Sequence, residues 1–156
     1  MRNRLCHPLR KINKEGRCSS PPWGVLKLNI DGSSRGNLCH ASRGGVGRDS
    51  SGDIRFIFSI YKGFHTNNLM EALAILYVVE RSCALGWKQN ICEYDSHVVV
   101  TLLNEHQLDK VSWHLAMLIR HILWLCNSTE SATFNRIPRE WNGVADCLAK
   151  WASDHG

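Results

Sequence analysis

An α/β fold built on a mixed sheet is what this sequence predicts, and three observations predict it. Strand-like segments come first and close together, a strand, helix, strand passage follows in the middle, and helical stretches with apolar faces supply the rest, in the order βββαβααβα. The 156 residues, 44% hydrophobic and 21% charged, have ordinary globular composition and about one domain's length. Collagen-like, low-complexity and fully disordered classes are thereby excluded.

Ser19-Ser20-Pro21-Pro22 punctuates the chain into a basic arm over 1–20 and a domain over 21–156. From Val25 to Asp31 the residues alternate, with Leu26, Leu28 and Ile30 on one side and Lys27, Asn29 and Asp31 on the other, the pattern of a half-buried strand. Gly44 to Arg48 and Ile54 to Ile60 read as two more strands around the Asp49–Asp53 turn, giving an antiparallel meander. Asn68 to Ala84 is the longest helical candidate and stops at Leu85-Gly86. A strand over Asn90–Asp95, helices over Ser96–Asn104 and Trp113–Asn127, a strand over Ala132–Ile137 and a helix over Asn142–Ser153 complete the order. The middle strand, helix, strand passage implies parallel pairing added to the meander.

The formal charge of +5 sits entirely in the arm, where six basic residues face Glu15 alone; the remainder balances. Such an arm suits loose attraction to a polyanion or delivery to an organelle, and it equally suits a solvated leader. Seven cysteines, an odd number with no C-x-x-C pair, point to a reduced intracellular setting, nuclear or cytoplasmic. The longest apolar run, Ala72 to Val79, is far short of a bilayer span, so no membrane partner is expected.

Four carboxylates stand at the ends of elements. Asp31 precedes Gly32 at the end of the first strand, Glu71 interrupts an apolar stretch, Asp95 closes the middle strand and Asp146 lies in the last helix. Each has a local explanation. Asp31-Gly32 is a turn dipeptide, Asn68-x-x-Glu71 resembles a capping box, Asp95 or Ser96 would cap the short helix, and Asp146 has Lys150 four residues on. Jointly they say more, because strand ends and helix starts of such a sheet converge on one surface. Four carboxylates gathered there repel one another unless a divalent cation holds them, and hard oxygen ligands suit Mg²⁺ or Mn²⁺. Two ions about 3.5–4 Å apart would activate water against a phosphodiester, which is nuclease chemistry.

Lys27-Leu-Asn-Ile-Asp31-Gly-Ser, Thr66-Asn-Asn-Leu-Met-Glu71-Ala, Asp95-Ser and Pro138-Arg-Glu-Trp-Asn-Gly-Val-Ala-Asp146-Cys-Leu-Ala resemble ribonuclease H type I. They are most similar to the plant reverse-transcriptase-like branch, which includes retrotransposon ribonuclease H domains. The resemblance covers about Pro21 to Ser153. It implies a ribonuclease H-like fold with a five-stranded mixed sheet, and metal-dependent endonucleolytic cleavage of the RNA strand of RNA/DNA hybrids. The implied catalytic and metal-binding set is Asp31, Glu71, Asp95 and Asp146, with two Mg²⁺ or Mn²⁺ ions bridged by Asp31. Implied hybrid contacts are Gly36, Asn37, Asn67, Asn68, Arg139 and Asn142. The first loop reads Gly36-Asn37-Leu38-Cys39 where the family usually continues Gly-Asn-Pro-Gly, and Arg136 stands where a histidine is frequent. Only Glu105 to Ser112 fills the place of the basic handle of bacterial members, so low hybrid affinity is expected unless the arm compensates. A monomer is expected. The rival reading is a non-catalytic retroelement-derived module that binds nucleic acid or protein.

Other features lack the spacing for chemistry. The eight histidines form no metal motif, with His114 and His121 read as ordinary helix residues. Gly44-Gly45-Val46-Gly47 lacks the lysine and helix of a phosphate loop. Trp113, Trp124, Trp141 and Trp151 are expected to pack the helices.

Overall fold

A computed structural model describes residues 19–34, 40–64 and 66–155. The arm expected over 1–20 therefore lies almost wholly outside the described residues, as do Gly36 and Asn37. The order is β1 (Val25–Ser34), β2 (His40–Arg48), β3 (Ile54–Phe64), α1 (Asn67–Ala84), β4 (Gln89–Tyr94), α2 (His97–Glu105), α3 (Trp113–Asn127), β5 (Ser131–Arg136), a 3-10 turn over Arg139–Trp141, and α4 (Gly143–His155). The expected βββαβααβα sequence of elements holds. The strands form one sheet in the order β3-β2-β1-β4-β5. β1 pairs antiparallel with β2 and β2 with β3, whereas β1–β4 and β4–β5 are parallel.

One face of the sheet carries the main core. Leu26, Leu28 and Ile30 are fully buried there, facing Ala74, Ile75, Val78 and Val79 of α1 and Ile119 and Ile122 of α3. The other face departs from the half-buried strand that the alternation of β1 predicts, since Lys27, Asn29 and Asp31 are also buried. The reason is α4, which lies across β2 on that side. A Cβ on Gly44 would come within 2.4 Å of the Ala149 amide nitrogen, so only glycine permits the approach. Gly44 is thus strand surface under a helix, while Cβ atoms on Gly45 and Gly47 would strike the Phe58 and Phe56 rings. Buried polar groups of that face are satisfied by one another: Lys27 Nζ lies 3.0 Å from Glu93, and Asn29 donates to the same carboxylate at 2.9 Å.

The tryptophans correct the sequence reading. Trp113, Trp124 and Trp151 are 68%, 67% and 57% exposed. On α3 the buried side is taken by Leu115, Ala116, Ile119 and Ile122, which leaves Trp113 and Trp124 on the outside by helical period. Among the described residues no helix is long and apolar enough to cross a membrane.

Candidate active site

The parallel β1–β4 pairing ends at Ile30 with Tyr94, so the residues that follow sit side by side: Asp95 just past β4, and Asp31 inside β1, which runs on to Ser34 against β2 instead of ending at Asp31 as the sequence predicts. Glu71 reaches the same edge from the second turn of α1. Gly32 allows that, because a Cβ there would lie 3.0 Å from the Glu71 amide nitrogen. Asp146 arrives from the opposite face on α4. The helix is pinned where Asn142 Nδ2 donates to the Ile30 carbonyl at 2.7 Å, one residue before Asp31.

Local explanations for these carboxylates give way to tertiary ones. The N-cap of α1 is Thr66, so Asn68 and Glu71 form no capping box, and Glu71 Oε2 is buried with no hydrogen-bond partner. Ser96 is the N-cap residue of α2 yet makes no side-chain cap; its side chain hydrogen-bonds Glu71 instead. The expected helix pair of Asp146 with Lys150 is present at 2.6 Å, and Arg139, expected to contact the hybrid, also holds Asp146 at 3.1 Å.

The electrostatics are those of crowded like charges. Burial, then the neighbouring Asp95 and Asp146, push the Asp31 carboxyl up to about 6, against the pull of Arg139 and Lys150. Burial raises Glu71 to about 7; the hydrogen bond from Ser96 opposes the rise, and Asp95 and Asp31 add to it. Asp146 behaves oppositely: although partial burial works against it, Lys150 and Arg139 hold it below the usual carboxylate range. Asp31 and Glu71 therefore share a field with Asp95, while Asp146 touches that field through Asp31 and is otherwise neutralised. Among the described residues no three acidic, histidine or cysteine side chains are close enough to hold one ion together. An unpartnered buried carboxylate oxygen beside two further carboxylates is nonetheless an all-oxygen donor set that fits a divalent cation.

Of the remaining expected site residues, Asn67 is exposed and Asn68 partly buried at the start of α1, and Arg139 is exposed beside the carboxylates. Asn142 is 1% exposed; its Nδ2 donates to the Ile30 carbonyl and so positions α4, while its Oδ1 is buried without a partner. Tyr94 escaped the sequence reading, and Arg136 entered it only as the residue standing where a histidine is frequent. Tyr94, fully buried, accepts a hydrogen bond from the Gly32 amide at 3.1 Å and so steadies the backbone after Asp31. Arg136 Nε reaches the Asp95 carbonyl at 3.4 Å. For Tyr94 the available signal was its place next to Asp95 at a strand end.

Comparison with known proteins bears on the family and the fold. The family described as reverse transcriptase-like matches residues 29–152. A provisionally named ribonuclease H protein of Arabidopsis thaliana is 32% identical over 137 residues, covering 85% of this chain and 21% of the relative. The chain thus spans about a fifth of the length of that curated relative. Among solved structures, ribonuclease H1 of the archaeon Halobacterium salinarum superimposes with a TM-score of 0.80 at 27% identity, over 85% of this chain and 100% of the other. LC11 ribonuclease H1 in complex with an RNA/DNA hybrid gives 0.74 at 26%, over 84% and 96%.

Proposed function

This chain belongs to the reverse transcriptase-like family, with a ribonuclease H fold, and on that premise we propose that it is a metal-dependent endonuclease acting on the RNA strand of RNA/DNA hybrids. The observation that carries the reading is the meeting of Asp31, Glu71 and Asp95 at one sheet edge, with Asp146 beside them, at a site where burial first and neighbouring carboxylates second disfavour the charged forms of Asp31 and Glu71. The fold family is generally divalent-metal dependent, and Asp31, Glu71, Asp95 and Asp146 are the residues that would hold two Mg²⁺ or Mn²⁺ ions. Bound there, the metal would supply a water of lowered pKa and offset charge on the phosphate during in-line displacement.

The chain's own residues do the positioning. Tyr94 and Asn142 fix the backbone on either side of Asp31, and Ser96 orients Glu71. Arg139 and Lys150 are cations beside the carboxylates, and a substrate phosphate offers them an alternative to Asp146. Asn67 and Asn68, at the start of α1, and the Gly36-Asn37 loop are the proposed contacts to the hybrid, where a 2′-hydroxyl distinguishes RNA from DNA. The basic arm over 1–20 would add attraction to phosphates.

The double ion pair on Asp146 favours a second reading, a non-catalytic module that retains the fold and binds nucleic acid or protein. A gel assay with labelled hybrid decides between them. The enzyme cuts the RNA strand in millimolar Mg²⁺ and loses cutting with Asp31→Asn; metal-independent retention of uncut hybrid would overturn the hydrolytic reading.

A further inference from the structure

The outer face of α3 carries a stripe of large apolar side chains among its polar ones, where a surface helix is ordinarily polar throughout. Opposite its buried side, at helical spacing, stand Trp113, Met117, Arg120 and Trp124, with both indoles about two-thirds exposed and Met117 47% exposed. Together with Leu69 and Leu73 of α1 this stripe borders a groove of about 750 Å³. A lone exposed apolar side chain needs no explanation, but a continuous stripe marks a surface that something covers.

We propose that this face of α3 is a stacking platform for unpaired nucleotides of a nucleic-acid strand, such as a single-stranded extension flanking a hybrid. The proposal rests on the nuclease reading only for the class of polymer involved. Charge selects the occupant. No aspartate or glutamate occurs along Trp113–Asn127 or lines the groove, whereas Arg120, His114 and His121 border it. A polyanion is complementary to that edge and an acid-free aromatic floor. The rings select among polyanions, because bases inside a duplex already stack on one another and offer no face to an indole. Unpaired bases do. Trp113 and Trp124, eleven residues apart, are about 16 Å distant along the helix axis, which suits the lower end of the roughly 4–16 nucleotides that single-strand sites occupy.

The test uses the full chain in chelator and a labelled oligothymidylate of about 15 nucleotides, followed by fluorescence anisotropy at several salt concentrations. Trp113→Ala and Trp124→Ala are each expected to weaken binding roughly 5- to 100-fold, Trp113→Phe and Trp124→Phe to retain most of it, and Arg120→Ala to lower the salt slope by about one. Equal binding by wild type and both alanine variants overturns the platform. So does an absence of binding by wild type, or a wild-type dimer that the alanine variants dissociate, which would assign the face to a second copy. Hybrid cleavage by wild type in Mg²⁺ is scored separately. Cleavage without tryptophan-dependent strand binding removes this proposal alone, and tryptophan-dependent binding without cleavage removes the hydrolytic reading alone.

Discussion

Replacing Asp31 by asparagine should stabilise the metal-free protein while removing the response to metal. The carboxyl is 6% exposed, and burial together with Asp95 and Asp146 lifts it from 3.8 to about 6. At about 1.36 kcal/mol per pKa unit, ionising it in the folded protein costs about 3 kcal/mol more than in the unfolded chain. Because the folded-state value is raised, the folded protein holds the extra proton between about pH 4 and 6, and stability falls as pH rises through that window. Glu71, raised from 4.5 to about 7, extends the decline towards neutrality. The two carboxyls titrate together, so their costs are not summed. Asparagine keeps the shape and removes the charge, so at neutral to slightly alkaline pH it should recover about 1–3 kcal/mol, a Tm rise of roughly 2–10 °C. Near pH 4 most of the gain should vanish. Thermal melts followed by circular dichroism in chelator, across that pH range, read the difference. Millimolar Mg²⁺ should then raise the wild-type Tm and leave Asp31→Asn unmoved. A variant that melts at or below wild type at neutral pH would refute the account of Asp31 as a carboxylate held at a cost for a cation.

Four further outcomes follow from the same geometry. Hybrid cleavage should require millimolar Mg²⁺ or Mn²⁺, stop in chelator and rise from acid pH as Asp31 and Glu71 lose their protons, which a pH–rate profile measures. Asn142→Ala should cost about 1–3 kcal/mol in urea unfolding, since it strands the buried Ile30 carbonyl, and should leave KM for hybrid little changed. Gly44→Val should push α4 off β2, costing about 1–3 kcal/mol or more and lowering kcat through displacement of Asp146, seen by melts and steady-state cleavage together. Deleting residues 1–18, which carry six basic side chains against one acidic, should weaken hybrid binding and flatten its salt dependence in anisotropy titrations.

Legibility in the sequence varied with how local each feature was. The period-two run of Leu26, Leu28 and Ile30 marked β1, and apolar helical stretches marked α1 and α3, within a few residues of their ends. The start of α1 was misread because Asn68-x-x-Glu71 has the spacing of a capping box. Burial of Glu71 against the sheet edge outweighed that local option, and Thr66 became the N-cap. The 3-10 turn over Arg139–Trp141 falls between the elements that the sequence predicts, since three residues carry no periodicity. The tryptophans of α3 were assigned to the interior by their chemistry, whereas helical phase relative to Ile119 places them outside.

Strand and helix identity, their order and the four acidic positions were determined by the chain itself, because side-chain period and turn chemistry act between near neighbours. The tertiary structure alone decided that α4 covers the polar side of β1, that Asn142 is a strut between α4 and β1, and that Asp146 is shared between Arg139 and Lys150. Those outcomes depend on distances and desolvation between segments remote in the chain, for which the order of residues carries no local signal.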